Sequence, residues 1–425
     1  MSRRHVRRRY RLALSVLSGS LAVALLITGC ATKKNPTGTT PGGGLATGPG
    51  VTENVIKLGV LTDRTGPFAG AAKALEQGRL LFWNDRNAKG GVCSRKVEFV
   101  VKDHGYNPQQ AVTAYAQIKD EVLALDELLG SPMIAALLPE LAQDEMISIA
   151  ASWSSSLLSN PYVVITGTTY DVEMINGIHW LTKNRGLAAG GKIGHIFVEG
   201  DYGDNALAGS RAAAKEYGLQ LIEQKVKATD ADLTAQVTAL RSSGAKFVLL
   251  TTTPVQTASA VGVAEASGFD ATFLGSGPSF TGALLKTPAK AALENRLFVA
   301  TSTAAYSSAA AGPAAVRKAF AAAHPDQPKS TFVMYGYAQG QIMERILDAA
   351  CQRNDLTRAG LLKAFQSLKD VQTDGLVAQL NYGTPGQIPA RQIYLVRPDA
   401  GTEGGLTQVS DLFAAPLAMT YQPAK

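Results

Sequence analysis

The chain has 425 residues, too many for one ordinary core and enough for two. Its 41 basic and 34 acidic residues give a formal net charge of +7, but six of the arginines crowd into residues 3–11 beside no acid. Without residues 1–29 the balance is 35 basic against 34 acidic, a net of +1, so the basic isoelectric point is no sign of a nucleic-acid partner.

That basic start runs into an apolar stretch, Leu12–Ile27, densest over Leu21–Ile27, which ends in Ile27-Thr28-Gly29-Cys30. Basic, apolar and small-residue parts in this order read as a secretory signal over residues 1–29. The dense apolar part is short for a membrane-spanning helix. The last four residues resemble the bacterial lipobox, which implies that Cys30 takes the lipid and becomes the first residue after cleavage. Two or more acyl chains on Cys30 hold a membrane stably. A soluble secreted protein with a chance cysteine is the plain alternative. Residues 31–50 are rich in Gly, Thr and Pro and read as a disordered tether, taken as 30–54 with the lipidated residue. Twenty such residues reach roughly 25 Å. The folded body is therefore expected outside the cytoplasm, anchored to the membrane and not embedded in it.

From residue 55 the chain alternates. "VIKLGVLTD" is a buried strand and "GAAKALEQGRLLFWNDRNAKGG" a helix with a Gly-Gly stop. "KVEFVVKD" is a strand, and "NPQQAVTAYAQIK" a helix capped by Asn107 with Pro108 at its first position. "DEVLALDELLG" is ambiguous: its place in the pattern asks for a strand, while Asp126 and Glu127 suit a helix better. Further on, "KIGHIFVEG", "LQLIEQKVK", "AKFVLLTT" and "ATFLGSG" are strands. Between them, "NALAGSRAAAKEYG", "DLTAQVTALRSSG" and "PVQTASAVGVAEASGF" are helices. Strands and helices that alternate through short loops imply parallel sheets covered on both faces, with ligands beyond the carboxyl ends of the strands.

Several chemistries leave no trace. There is no G-x-S-x-G elbow and no phosphate-binding glycine loop. The five histidines form no i, i+4 pair, and no Cys or acid cluster has metal spacing. No catalytic residue, metal or cofactor is expected, and the protein reads as no enzyme. Two cysteines remain after Cys30, namely Cys93 and Cys351. Outside the cytoplasm they form either a disulfide or two buried thiols.

Six segments carry a resemblance: "IKLGVLTDRTGPFAG", "NAKGGVCSRKVEFVVKDHGYNPQQAV", "LLGSPMIAALLP", "ISIAASWSSSLL", "VEGDYG" and "GAKFVLL". In this order they resemble the type I periplasmic solute-binding proteins, in particular the leucine/isoleucine/valine-binding branch that serves ABC importers. The resemblance spans about residues 55–400. It implies two doubly wound α/β lobes joined by three crossing strands, with lobe one at 55–168 and 304–374 and lobe two at 169–303 and 375–425. Cys93 and Cys351 then share lobe one, which favours the bridge. The implied partners are a small solute, the permease and ATPase subunits of an importer, and the membrane through the lipid; a monomer is expected. A sensor or scaffold lipoprotein that kept the fold is the alternative.

The resemblance also implies a site. Ser131 in "GSP", and Ala150, Ala151 and Ser152 in "IAAS", correspond to the family's α-carboxylate binders. A helix start at Ser131-Pro132, with Ser131 as N-cap, has the physical means to hold an anion. Tyr202 matches a cleft-closing tyrosine, and Phe68, Trp153 and Tyr170 lie on loops expected to face the cleft, with Tyr306 a weaker candidate. Two features depart from the family. Gly277 stands about where amino-acid binders carry an ammonium-binding glutamate, and Thr252 and Thr253 stand where a tyrosine is expected. An unpaired buried ammonium is costly. A simple zwitterion is therefore doubtful unless Asp171 or Asp201 substitutes, and a carboxylate or amide ligand fits as well.

Overall fold

A computed structural model describes residues 44–423. The signal, Cys30 and most of the tether fall outside the described residues. Two sheets organise the rest. The first is all parallel, with strands in the spatial order Lys96–Asp103, Val55–Thr62, Ala124–Leu129, Ser148–Ala151 and Val163–Ile165. The second begins with the same winding: Gln220–Val226, Lys192–Val198, Phe247–Thr251, Thr272–Ser276 and Leu297–Thr301, all parallel. Tyr394–Pro398 and Leu406–Gln408 then extend its edge antiparallel. The expected doubly wound α/β architecture is present, and helices cover both faces of each sheet. Among the described residues no helix is long and apolar enough to cross a membrane.

In each sheet the second strand in the chain lies outside the first, and the third lies on the first's other side. This order creates a switch point, where the loops after the first and third strands splay apart and leave a crevice. In the first sheet Phe68 and Ser131 lie just beyond those strands; in the second Tyr202 and Thr252 do. Two isolated bridges tie segments that run between the sheets: Thr168 to Ala390, and Thr303 to Val377.

The ambiguous segment is a strand, Ala124–Leu129, buried along its whole length. Its two acids are tolerated because the helix Ala69–Ala88 delivers Arg79 beneath them. The pairing register slips between Gly59↔Leu125 and Val60↔Glu127, leaving Asp126 as an extra residue. Such a bulge breaks the strict up-down alternation, so neighbouring carboxylates reach one cation. Arg79 bonds Glu127, lies 3.8 Å from Asp126 Oδ2 and stacks 5.2 Å from the Phe99 ring centroid. Trp83 Nε1 donates to Asp126 at 3.2 Å. One cation cannot neutralise two buried carboxylates. Burial, only partly offset by Arg79, pushes Asp126 up to about 7.

The tether gives way earlier than residue 54. Ala46–Thr47 forms a short parallel pair with Asp355–Leu356, and Gly50 accepts the Lys57 N–H at 2.8 Å. Glycine content masked this docking: Gly50 has φ +77, and a Cβ there would sit 2.8 Å from backbone atoms of residues 121–123, an approach open to glycine alone. Cys93 and Cys351 are bridged, with Cα atoms 6.1 Å apart across 258 residues of sequence. The bridge ties the turn before Lys96–Asp103 to the end of the helix Thr331–Gln352, which packs on the first sheet's helix Ala69–Ala88.

Two outcomes follow for stability. Asp126 is protonated in the fold and ionised in the unfolded chain over the window between pH 4 and about 7, so its share of stability is lost as pH rises through that window. Asp126→Asn keeps an acceptor for Trp83 and is expected to raise the melting temperature at pH 8 more than at pH 5; an equal shift at both rejects the assignment. Replacing both Cys93 and Cys351 with Ser is expected to lower unfolding free energy by about 2–5 kcal/mol in urea titration.

Candidate ligand-binding cleft

Where the carboxyl ends of the two sheets face each other lie two adjoining cavities. Trp153, Pro278 and Phe332 line both. The outer cavity is built mostly by the first sheet's loops, and each is held by a local device. After Val55–Thr62, the buried Asp63 carboxylate accepts the N–H groups of Gly66 and Phe68, which turns the Phe68 ring inward. After Lys96–Asp103, His104 Nδ1 accepts the Tyr106 N–H at 3.1 Å, and the Tyr106 ring lies 4.8 Å from Phe68. After Ala124–Leu129 comes Gly130 at φ +97. A Cβ there would sit 2.1 Å from Met133 Cε and 2.8 Å from Tyr106, so only glycine lets helix Ser131–Gln143 start at this point.

Ser131 is the first residue of that helix and not its cap; Gly130 occupies the cap. The Ser131 hydroxyl turns instead to Ser152, with Oγ atoms 2.6 Å apart. A tertiary hydroxyl partner has displaced the local cap. Ser131 lines the outer cavity, and Ser152 is fully buried one step behind it. Ala151 is on the wall. Ala150 is not: its carbonyl accepts from the Tyr335 hydroxyl at 2.9 Å, on the side of helix Thr331–Gln352.

Aromatic rings from both sides close the space. Trp153 lies 5.9 Å from Tyr170, and Tyr170 lies 4.7 Å from Tyr202, whose hydroxyl bonds Ser276. Phe68, Trp153, Tyr170 and Tyr202 thus all line the outer cavity, as expected of cleft residues, together with Ala71, Leu75, Tyr106, Leu129 and Phe332. None of its lining residues carries a charge. Gly277 lines the inner cavity instead, beside Glu173, Thr301, Ser302 and Thr331. Tyr306 is buried against Phe320 and lines neither cavity.

Asp171 and Asp201, the acids offered in place of the missing glutamate, line neither cavity. They bind the serine-rich turn that follows Trp153. Ser155 Oγ donates to Asp171 at 2.6 Å, Asn205 donates to Ser155 at 2.7 Å, and Ser156 donates to Asp201. This seam joins the turn after Ser148–Ala151 to the helices Tyr170–Asn184 and Asp201–Tyr217 of the second sheet. "SWSSS" signalled it in the sequence, but only the folded chain supplies the partners. Tyr106, Phe332 and Glu173 also escaped sequence reasoning. Tyr106 sits in a turn whose "HGYN" signal reads simply as loop, and Glu173 reads as one more acid.

Both cavities are small. The space open to the centre of a water-sized sphere is ≈ 40 Å³ outside and ≈ 30 Å³ inside, a few waters each. A larger molecule needs more room than either cavity offers.

Two doubly wound sheets with lined cavities at the carboxyl ends of their strands make the frame of a small-molecule binding protein. The periplasmic binding protein family model matches residues 55–403, and the chain belongs to that family. It is similar to the fatty acid ABC transporter substrate-binding protein from Thermomonospora curvata: 39% identity over 89% of this chain and 97% of that one, TM-score 0.87. It shares its fold with a branched chain amino acid ABC transporter protein from Thermus thermophilus with bound valine, at 17% identity, 87% and 99% coverage and TM-score 0.77. A solute binding protein of an ABC transporter from Rhodopseudomonas palustris BisB5, in complex with 3,4-dihydroxy benzoic acid, gives 19% identity, 85% and 97% coverage and TM-score 0.71. No curated protein sequence matches. The chain is thus the extracytoplasmic substrate-binding component of an ABC transporter, and its family consists of binding proteins, not enzymes.

The polar seam yields a measurable outcome. Hydrogen bonds to charged groups are worth about 1.5–3 kcal/mol each. The double variant Asp171→Ala/Asp201→Ala is expected to shift the protein toward an open form with a larger radius of gyration in solution scattering. An unchanged radius rejects the seam as the closing contact.

Proposed function

We propose that the protein captures an apolar monocarboxylic acid, one carboxylate on a hydrocarbon body, and presents it to the permease and ATPase of its importer. It acts as a monomer at the outer face of the cell membrane, held there by lipid on Cys30. In this reading the lobes are residues 55–168 with 304–374 and 169–303 with 375–425, and the cleft closes between them.

One observation carries the ligand class. The outer cavity offers one hydroxyl, Ser131, at a helix start and backed by the buried Ser152, within a wall of Phe68, Ala71, Leu75, Tyr106 and Phe332. At this helix start Pro132 has no N–H and the Met133 and Ile134 N–H groups bond the Gly130 carbonyl, so what draws a carboxylate is the partial positive charge of the helix end and the Ser131 hydroxyl. The apolar wall rewards a hydrocarbon body at roughly 25 cal/mol for each Å² it buries. An amino acid would bring an ammonium into a cavity with no charged lining residue, at a desolvation cost of several kcal/mol. The motif order resembles that of the leucine/isoleucine/valine branch, but the proposed ligand lacks the amine that defines that branch's solutes. The 39%-identical fatty acid ABC transporter substrate-binding protein supports the same class.

The test is a thermal-shift and titration-calorimetry panel on delipidated protein: octanoic, decanoic and dodecanoic acids, benzoic acid, leucine and valine. The acids are expected to bind one to one and, at one hundred times Kd, to stabilise by about 2.7 kcal/mol. Ser131→Ala is expected to weaken them about tenfold or more. Binding of leucine or valine with the acids inert rejects the reading.

A further inference from the structure

The inner cavity holds polar groups that the fold leaves without partners. Glu173 sits in the first turn of helix Tyr170–Asn184, is 2% exposed, lines this cavity, and its Oε2 has no hydrogen-bond partner. Trp153 Nε1 and Thr331 Oγ1, from two other lining residues, are buried and equally unpartnered. Gly167 fixes part of the geometry: a Cβ there would lie 2.9 Å from Trp153 Nε1 and 2.5 Å from Ser302 Oγ, so both polar groups press on the same bare backbone. Ser302 and Gly277 line the same cavity as Glu173.

Each buried orphan costs about 1–3 kcal/mol, and native proteins leave few of them unexplained. Three around one cavity mark a binding function more readily than a defect. Their chemistry selects the partner. An indole N–H only donates, a threonine hydroxyl does both, and the carboxyl of Glu173 accepts, or donates when protonated. Burial raises the affinity of Glu173 for its proton well above the usual carboxylate range, against the pull of the Ser302 and Gly277 N–H groups. A cation would face the indole N–H, and an anion would face a carboxyl. A neutral hydroxyl that accepts from Trp153 and Thr331 and donates to Glu173 satisfies all three. The space, ≈ 30 Å³ for water-sphere centres, takes a hydroxyl or hydroxymethyl and no longer chain.

We propose that this inner cavity is a second subsite that reads a hydroxyl on the far end of the ligand, so that the preferred solute is a hydroxylated apolar acid. Glu173, Trp153 and Thr331 are its binding groups. The inference rests on the monocarboxylate reading of the outer cavity and adds the second recognition point. Trp153, Pro278 and Phe332 line both spaces, so one molecule passing between them touches both subsites.

The experiment compares decanoic acid with its terminally hydroxylated and terminally aminated analogues by calorimetry, with the octanoic and dodecanoic series alongside to cover reach. Wild type is expected to bind a hydroxylated acid about tenfold tighter than the unsubstituted acid of the same length. In Glu173→Ala and Trp153→Phe that preference is expected to fall to within about twofold. Glu173→Gln, which keeps an acceptor and a donor, is expected to retain it. Trp153→Phe removes the N–H but keeps the ring, so it remains informative if the Glu173 variants fold poorly. Unsubstituted acids that bind with no hydroxyl preference at any length overturn the subsite and leave the monocarboxylate reading standing. A preference for the aminated acid overturns the neutral-hydroxyl assignment. No binding of any acid overturns both.

Discussion

Parallel sheets must be covered on both faces, and that requirement governs the rest of the molecule. A strand buried on both sides has no solvated face on which to place polar chemistry. Polar and irregular chain is pushed to the strand ends, and the winding order splays those ends at one point in each sheet. Phe68, Ser131, Ala151 and Trp153 follow strands of the first sheet; Tyr202 and Gly277 follow strands of the second. The cleft needs no dedicated architecture beyond this. It forms because two sheets wound alike point their open ends at each other.

The same requirement explains the one large exception. Asp126 and Glu127 lie in the middle of a fully buried strand, where charge is most expensive. Arg79, the Phe99 ring and Trp83 make them tolerable, and the bulge at Asp126 makes their shared approach possible. Local sequence favours a helix there, because two adjacent acids are poor strand residues. The compensating cation is 48 positions away in sequence, on the helix Ala69–Ala88. Topology overrode propensity.

Much of the frame was legible because it depends on short-range periodicity. The strand Lys96–Asp103 and the helix start at Asn107-Pro108 need only their own residues, and both lie where their signals put them. The aromatic wall of the cleft was legible in part, since loops after strands are where such rings gather. What escaped depends on partners distant in the chain. Ser131 has every local mark of a cap, yet its hydroxyl found Ser152. Asp171 and Asp201 looked free to meet a ligand, yet Ser155 and Ser156 hold them. Glu173 carries no signal in the sequence beyond being one more acid, a type usually found on a wet surface. Only the folded chain shows that this helix is buried from its first turn.

The placement of charge then bears on how a binding protein of this kind can open and close. The contacts across the cleft are aromatic edges, a few hydroxyls and two carboxylates held by serines; no salt bridge joins residues of the two sheets' helices across the seam among the described residues. Hydroxyl–carboxylate bonds exchange readily with water, so their net worth is modest, about 1.5–3 kcal/mol each at most. A seam that weak holds the halves together without locking them. A ligand that fills the cleft needs to add only a few kcal/mol of preference for the closed form to change its population by orders of magnitude. An importer that distinguishes closed from open would thereby read occupancy. The two cavities hold only a few waters each, so a solute larger than that needs their walls to move apart.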